Sequence, residues 1–153
     1  MTRDIPSFWL IVVLMVVCAA CSNKYHASKI EPTDHVLVGK PWKEVNIEVF
    51  QNDSLQKNIT KQFMKSDLDD VIIFNPDGTY FFDEGISKAR TASAQIYQRG
   101  LWQINESKQL TFIELNGDST TYSIEEMSPE KLIIKLPAKK TDLFYVMTYV
   151  PLR

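Results

Sequence analysis

The sequence predicts an all-β protein, a single eight-stranded antiparallel up-and-down β-barrel that follows a signal peptide and a flexible tether. From Lys43 onward, apolar and polar residues alternate with a period of two, as they do in strands that bury one face. Turn residues interrupt the alternation at fairly regular spacing. Because the predicted links are short, strands adjacent in sequence should pair as hairpins, and closure into a barrel removes exposed edges. A two-sheet sandwich is the alternative architecture.

Eight strands can be placed along this pattern. In the first, Val45, Ile47 and Val49 alternate with Asn46, Glu48 and Phe50. The strongest turn signal is Asn75-Pro76-Asp77-Gly78, because Pro sets φ at the second position and Gly accepts positive φ at the fourth. The last strand is expected to close the barrel against the first. The predicted strands cover residues 45–50, 71–74, 79–82, 94–104, 110–115, 120–127, 131–136 and 143–150.

Residues 54–69 do not fit the strand pattern. The segment is too polar for a core strand and too long for a tight turn. Long connections of this kind are often functional. It is expected to hold a short helix around residues 59–64, or to form a lid over one end of the barrel.

The N-terminal segment has the layout of a secretory signal peptide. Arg3 precedes an apolar run from Phe8 to Val17, and small residues follow. The run is shorter than the about 20 residues that a membrane-spanning helix needs. Ala19-Ala20-Cys21 resembles the bacterial lipobox, although Cys18 stands where an aliphatic residue is usual. The resemblance implies cleavage before Cys21 and acylation of that cysteine. An uncleaved anchor helix and a signal cut without lipidation are the alternatives.

Composition is consistent with this division of the chain. The predicted domains are a signal peptide over residues 1–20, an acylated cysteine with a flexible tether over 21–38, and the barrel over 39–153. Removal of the signal peptide takes Arg3 and Asp4 away, so the net charge stays at −2. The absence of a basic patch argues against nucleic acid as a partner. With Cys18 removed and Cys21 acylated, no thiol remains for a disulfide or for redox chemistry.

Several stretches in a consistent order carry a family resemblance. They are Gly39 to Trp42, Asp69 to Tyr80, Gly100 to Ile104, Tyr122 to Ile124, and Lys131 to Ile134. Together they resemble the lipocalin-like, or calycin-like, domain of Bacteroidota-type lipoproteins, over roughly residues 39–150. The sequence departs from the family where Pro41 lengthens the Gly-x-Trp pattern. It also has Asp67 and Ala89 in regions where relatives carry cysteines, so the resemblance implies no disulfide here.

The predicted ligand site is the interior and mouth of this barrel. An eight-stranded barrel is either filled by its own side chains or holds one small ligand, and the sequence leaves both open. The residues expected to point inward are Ile96, Trp102, Ile104, Leu110, Phe112, Tyr122, Ile124, Leu132, Ile134 and Leu136. The candidate ligand-binding residues are Tyr80, Tyr97, Arg99, Trp102, Phe112 and Tyr122, of which the tyrosines and the arginine would orient a ligand.

Catalysis is not predicted, and no cofactor is expected. Both histidines lie in the predicted tether, and the sequence has none of the common nucleophile or zinc motifs. A tight turn at residues 75–78 would place Asp70 opposite Asp83. Like charges in such a pair destabilise a sheet, so a weak calcium site is the alternative to solvated carboxylates there.

The sequence therefore predicts a lipid-anchored lipoprotein of the cell envelope that binds a small hydrophobic molecule without catalysis. Because no Asp follows Cys21 and no acidic cluster is present, resemblance to other lipoproteins favours the periplasmic face of the outer membrane. The expected partners are the membrane, through the lipid anchor, and a small hydrophobic ligand. The alternative is a structural or accessory module with a fully packed barrel, which contacts an envelope protein partner through a strand such as residues 142–152.

Overall fold

A computed structural model describes residues 35–63, 68–88, 90, 92–138 and 142–152. The predicted signal peptide, Cys21 and most of the tether lie outside these residues. No helix of the described residues is long and apolar enough to cross a membrane. The strands are β1 (Pro41–Gln51), β2 (Ser54–Asn58), β3 (Val71–Phe74), β4 (Thr79–Asp83), β5 (Ile96–Ile104), β6 (Gln109–Glu114), β7 (Ser119–Met127), β8 (Leu132–Pro137) and β9 (Leu143–Pro151).

Eight of the strands form a closed antiparallel barrel. Strands β3 to β9 pair in sequence order, each with the next. Strand β1 closes the barrel, because it pairs with β9 along its whole length, from Trp42 opposite Pro151 to Gln51 opposite Leu143. On its other edge the start of β1 pairs with β3, where Trp42 lies opposite Ile72. The structure confirms the predicted all-β barrel and excludes the two-sheet sandwich.

Strand β2 is an addition to this barrel that the sequence pattern does not reveal. It forms a hairpin with the end of β1. The start of β1 pairs with β3 on the same edge. All five residues of β2 are exposed, which explains why it lacks an apolar alternation. A 3₁₀ turn, Thr60–Gln62, follows it, within the region predicted as a short helix. Thr60 Oγ1 accepts a 2.8 Å hydrogen bond from the Ile47 amide and so ties this segment to β1.

The turn between β3 and β4 is wider than the sequence suggested. The Asn75 amide donates to the Thr79 carbonyl oxygen at 2.8 Å, and Gly78 has a φ of 82°. Three residues therefore connect the strands, in the arrangement that places a glycine in the left-handed region at the end of the turn. As a result, Asp83 lies opposite Val71. The predicted pairing of Asp70 with Asp83 is wrong, because the turn holds one more residue than expected.

The lower end of the barrel, where Trp42 lies, is closed by buried apolar residues. Trp42 and Leu37 are fully buried, and the Trp42 indole N–H donates a 2.9 Å hydrogen bond to the Leu37 carbonyl oxygen. Val38 forms a β-bridge with Phe74. The last two residues of the predicted tether therefore belong to the packed barrel, and Trp42 packs at its base despite the added Pro41.

Most residues expected to point inward form the core. Trp102, Leu110, Phe112, Ile124, Leu132 and Ile134 are buried together, and Ile104 and Tyr122 pack against them. Bulges interrupt the alternation in β1, β5 and β7. The bulge in β1 leaves Val45 without an opposite residue and 40% exposed. The bulge in β5 leaves Tyr97 without an opposite residue and turns Ile96 to the outer wall, so the inward prediction for Ile96 is wrong. A bulged strand changes face, which a strict period of two cannot anticipate.

Candidate functional site at the barrel mouth

The candidate site is the end of the barrel opposite Trp42, called the barrel mouth below. Here β1 ends, β9 begins, and the long connection between β4 and β5 lies. Three inward-facing residues near this end, Phe82, Tyr122 and Met147, are only partly buried and pack on top of the core. Half-buried apolar side chains above a packed floor are what a shallow ligand site requires.

A continuous series of aromatic rings leads from the core to the mouth. Phe112 is its centre, with ring centroids 4.7 Å from Tyr80, 5.6 Å from Tyr122 and 6.2 Å from Phe82. Phe82 in turn lies 5.8 Å from Tyr97, which is 48% exposed. At the lower end, Phe74 links Phe112 to Trp102. Such pairs favour edge-to-face or offset geometry, so the series holds the mouth residues in fixed positions.

A carboxyl and a phenol form a partly buried polar contact near the mouth. Glu44 on β1 lies directly opposite Tyr149 on β9, and the Tyr149 hydroxyl donates to Glu44 Oε2 at 2.8 Å. Burial raises the pKa of Glu44; the Tyr149 hydrogen bond opposes this, and the Asp70 charge adds to it. The pKa of Tyr149 lies well above its ordinary value because the residue is buried beside Glu44.

A second carboxyl and phenol pair lies nearer the solvent. The Tyr97 hydroxyl donates to Asp70 Oδ2 at 3.0 Å. Burial, together with the charge of Asp70, raises the pKa of Tyr97, and burial raises that of Tyr122. Both phenols therefore stay protonated near neutral pH, where each can donate or accept a hydrogen bond.

Gln98 connects the core to the rim of the mouth. Its amide donates at 3.2 Å both to the Tyr80 hydroxyl and to Glu114 Oε1. Burial raises the pKa of Tyr80 and outweighs this hydrogen bond. The bulge at Tyr97 places Tyr97 and Gln98 next to each other at the mouth, since the two residues of a bulge oppose one residue of the partner strand.

The interior beneath the mouth holds a small cavity of about 20 Å³. Phe82, Phe112, Tyr122 and Tyr149 line it together with aliphatic residues. A volume of this size accepts about one water molecule. Any larger ligand must therefore lie in the mouth above these rings, unless the rings move.

The structure brings five of the six predicted ligand residues into one network and separates the sixth. Tyr80, Trp102 and Phe112 are buried in the core, whereas Tyr122 and Tyr97 reach the mouth. Arg99 lies on the outer wall of β5, opposite Phe81. Sequence reasoning missed Glu44, Tyr149 and Gln98, and it considered Asp70 only as part of a calcium site. The sequence could have indicated an inward position for Glu44, because it is two positions from Trp42 and so lies on the same face of the strand.

The two acidic residues of the calcium alternative have other partners. Asp83 Oδ1 accepts a 2.8 Å hydrogen bond from the Gly85 amide, and Asp70 accepts from Tyr97. Within the part of the chain that the structure describes, no group of three or more His, Cys, Asp or Glu side chains is arranged to hold a metal ion.

A closed eight-stranded antiparallel barrel with one packed end and one mouth defines a lipocalin-like protein. A family model described as a lipocalin-like domain matches residues 37–134, which is more than half of the chain. The protein therefore belongs to the lipocalin-like domain family, whose members are typically non-catalytic binding proteins. No curated protein matches the sequence.

Proposed function

We propose that this protein is a lipid-anchored lipocalin-like protein of the cell envelope that binds a small, uncharged hydrophobic molecule at the barrel mouth without catalysis. The observation that carries the proposal is the arrangement of the mouth. Half-buried rings of Phe82, Tyr97 and Tyr122 lie above a packed core, beside hydrogen-bonding groups that are held in place by their own partners. Apolar walls with a few oriented polar groups are typical of small-molecule sites.

The charge at the mouth restricts the ligand. The charges of Asp70, Glu44 and Glu84 each act to raise the pKa of Tyr97, so all three carboxyl groups lie near that phenol. A carboxylate or phosphate ligand would be repelled there, because like charges interact more strongly in a site with little water. An uncharged molecule with an apolar body and a hydroxyl or carbonyl group fits better, with Tyr97 or Tyr122 as its hydrogen-bond partner.

Titration with the uncharged dye N-phenyl-1-naphthylamine tests the mouth as a binding site. We expect saturable binding to the mature chain, and Phe82→Ala should weaken it about tenfold, because burial of one aromatic ring against a ligand contributes at least about 1.4 kcal/mol. Phe144→Ala is the matched control, since Phe144 stacks on Phe50 and, by alternation from the buried Tyr149, faces the outside of the barrel. Absence of saturable binding, or equal affinity of the Phe82→Ala variant while it stays folded, would contradict the proposal.

The lipid anchor at Cys21 is supported by the lipobox resemblance and by the length of the apolar run. Several acyl chains, at about 0.8 kcal/mol per buried methylene, form a lasting membrane tether. Mass spectrometry of the membrane fraction should find an acylated Cys21 at the N-terminus, and Cys21→Ser should release the protein from the outer membrane. An unmodified Cys21 in the membrane fraction would rule the anchor out and leave the mouth site untouched.

A second candidate function is a structural or accessory module, and the small interior cavity favours it. In that case the rings at the mouth complete the core, and the partner is an envelope protein. A stoichiometric protein that co-purifies with the mature chain in detergent, together with a failure of uncharged ligands to bind, would favour the module over the carrier.

A further inference from the structure

A groove lies on the outer wall of the barrel and adjoins the mouth, since Arg99 and Leu115 also border a second depression together with Tyr97. It lies across β4, β5 and the end of β6 and has a volume of about 280 Å³. The side chains that define it on the outer face are Thr79, Phe81, Ile96, Arg99, Leu101 and Leu115. Leu115 is 79% exposed and Leu101 is 37% exposed.

The strand pairing explains why apolar side chains gather on this wall. Phe81 lies opposite Arg99, and Thr79 lies opposite Leu101. Their neighbours Tyr80 and Trp102 are buried in the core, so by alternation these four side chains face outward. The bulge at Tyr97 adds Ile96 to the same wall. An outer barrel wall in water is expected to be polar, and a contiguous apolar groove there indicates a binding surface.

Arg99 gives the groove a single positive charge. Within the described part of the chain, its side chain makes no hydrogen bond and no ion pair; the ion pair there joins Lys131 and Glu126. Glu114, which borders the adjoining depression together with Arg99, accepts a hydrogen bond from Gln98. A guanidinium presents a planar set of donors that matches a carboxylate with two parallel hydrogen bonds.

We propose that this groove binds a free fatty acid, with the carboxylate on Arg99 and the acyl chain along Phe81, Leu101 and Leu115. Charge complementarity favours a fatty acid over other ligands, because the groove combines an apolar floor with the unpaired guanidinium of Arg99. A volume of about 280 Å³ lies just below the usual range of about 300 to 1,000 Å³ for small-molecule sites, which suits one chain and is too small for a two-chain lipid. The mouth, with its carboxyl groups, disfavours the same ligand.

Isothermal titration of laurate into the mature chain, produced without its own lipid, tests this proposal. We expect saturable binding that is weakened about tenfold or more in Arg99→Gln, since a hydrogen-bonded charge pair contributes about 1.5 to 3 kcal/mol. Dodecyltrimethylammonium, which has a chain of the same length and the opposite charge, should bind more weakly than laurate. Lys57→Gln removes a positive charge from the exposed strand β2 and should leave the affinity for laurate unchanged.

Two further variants separate the groove from the mouth. Leu101→Ser should weaken laurate binding, and Phe82→Ala should not. The proposal is overturned if laurate fails to bind, if Arg99→Gln binds it as well as the wild type, or if Phe82→Ala abolishes its binding. It is also overturned if sedimentation shows a dimer that Leu115→Ser dissociates, because a second copy would then cover the groove. Circular dichroism and the melting temperature establish that each variant is folded.

Discussion

Tyr149 and Glu44 face each other across the seam at which the last strand meets the first, and the Tyr149 hydroxyl donates a 2.8 Å hydrogen bond to the Glu44 carboxyl group. The two residues are 105 positions apart in the sequence. Their contact exists only because the barrel is closed. It places a carboxyl group with a raised pKa inside the barrel, where its charge influences both stability and ligand choice.

Glu44 should make stability depend on pH. Its folded pKa lies above the ordinary value of 4.5, so the folded state binds the proton more tightly than the unfolded state does. The stabilisation by the protonated form is therefore complete at low pH and is lost as the pH rises through the folded pKa. The free energy of unfolding of the wild type, minus that of Glu44→Gln, should fall between about pH 4 and neutrality. Glu106→Gln, on an exposed loop, controls for the loss of one carboxylate. A constant difference would contradict the prediction.

Asp69 should hold the start of the connection between β4 and β5. Its Oδ2 accepts hydrogen bonds from the amides of Ile86 and Ser87, at 2.9 and 2.8 Å. Burial acts to raise the pKa of Asp69, but these hydrogen bonds outweigh it and lower the pKa below 3.8. Asp69→Ala should increase hydrogen exchange at both amides by about tenfold or more, the equivalent of one lost charged hydrogen bond.

The hydrogen bonds that Asp69 accepts from the Ile86 and Ser87 amides should weaken in acid. Because the folded pKa of Asp69 is lowered, the stabilisation is present above pH 3.8 and is lost as the pH falls through the folded pKa. Asp118→Ala changes a carboxylate in another loop and should leave the two amides protected. Equal exchange at these amides in Asp69→Ala and the wild type would refute the role of Asp69.

Phe112 should be the most sensitive position of the aromatic series. Its ring contacts those of Phe74, Tyr80, Phe82 and Tyr122. Phe112→Ala removes all four contacts and leaves a cavity, so we expect a loss of about 3 to 5 kcal/mol in chemical denaturation. Leu115→Ala, at a largely exposed position, should change stability by less than about 0.5 kcal/mol. A loss below about 1 kcal/mol for Phe112→Ala would show that the barrel interior is loosely packed.

Gly100 should be required where β5 passes β6. A Cβ atom at this position would lie 2.0 Å from the Ile113 carbonyl oxygen and 3.0 Å from Tyr80 Cε1. The strands would have to separate, so Gly100→Ala should cost at least about 1 to 3 kcal/mol, as overpacked substitutions do. Thermal unfolding measures this, with Gln103→Ala on the exposed side of the same strand as the control. An unchanged melting temperature would mean that the strands are further apart than the structure indicates.

Local patterns predicted the strands well. The alternation in β6, in β8 and in β7 as far as Ile124, with the turn residues between these strands, indicates both the pairing order and the inward face, because side chains of a regular strand follow a period of two. Predictions failed at two bulges and one turn. Val45 and Ile96 lie on the face opposite to the one that the alternation predicts, and Asp83 pairs one residue away from its predicted partner. Each bulge or turn inserts a residue that the hydrophobic pattern does not mark.

The candidate site was only partly predictable for the same reason. Tyr97 and Tyr122 could be proposed because aromatic residues with a polar tip suit a barrel mouth. Glu44 could not, because a charged residue in a strand is expected to face solvent until its partner is known. Arg99 was assigned to the mouth, but the pairing with Phe81 places it on the outer wall.

The sequence by itself therefore determined the class of fold and the order of its strands, because these depend on hydrophobic alternation and on turns that are local in the chain. The tertiary structure alone decided which residues meet at the mouth and which line the outer groove. Those contacts depend on closure between β1 and β9 and on the register of each strand pair, and a shift of one residue exchanges the inner and outer faces. The hydrogen bond from Tyr149 to Glu44 forms only when β9 pairs with β1.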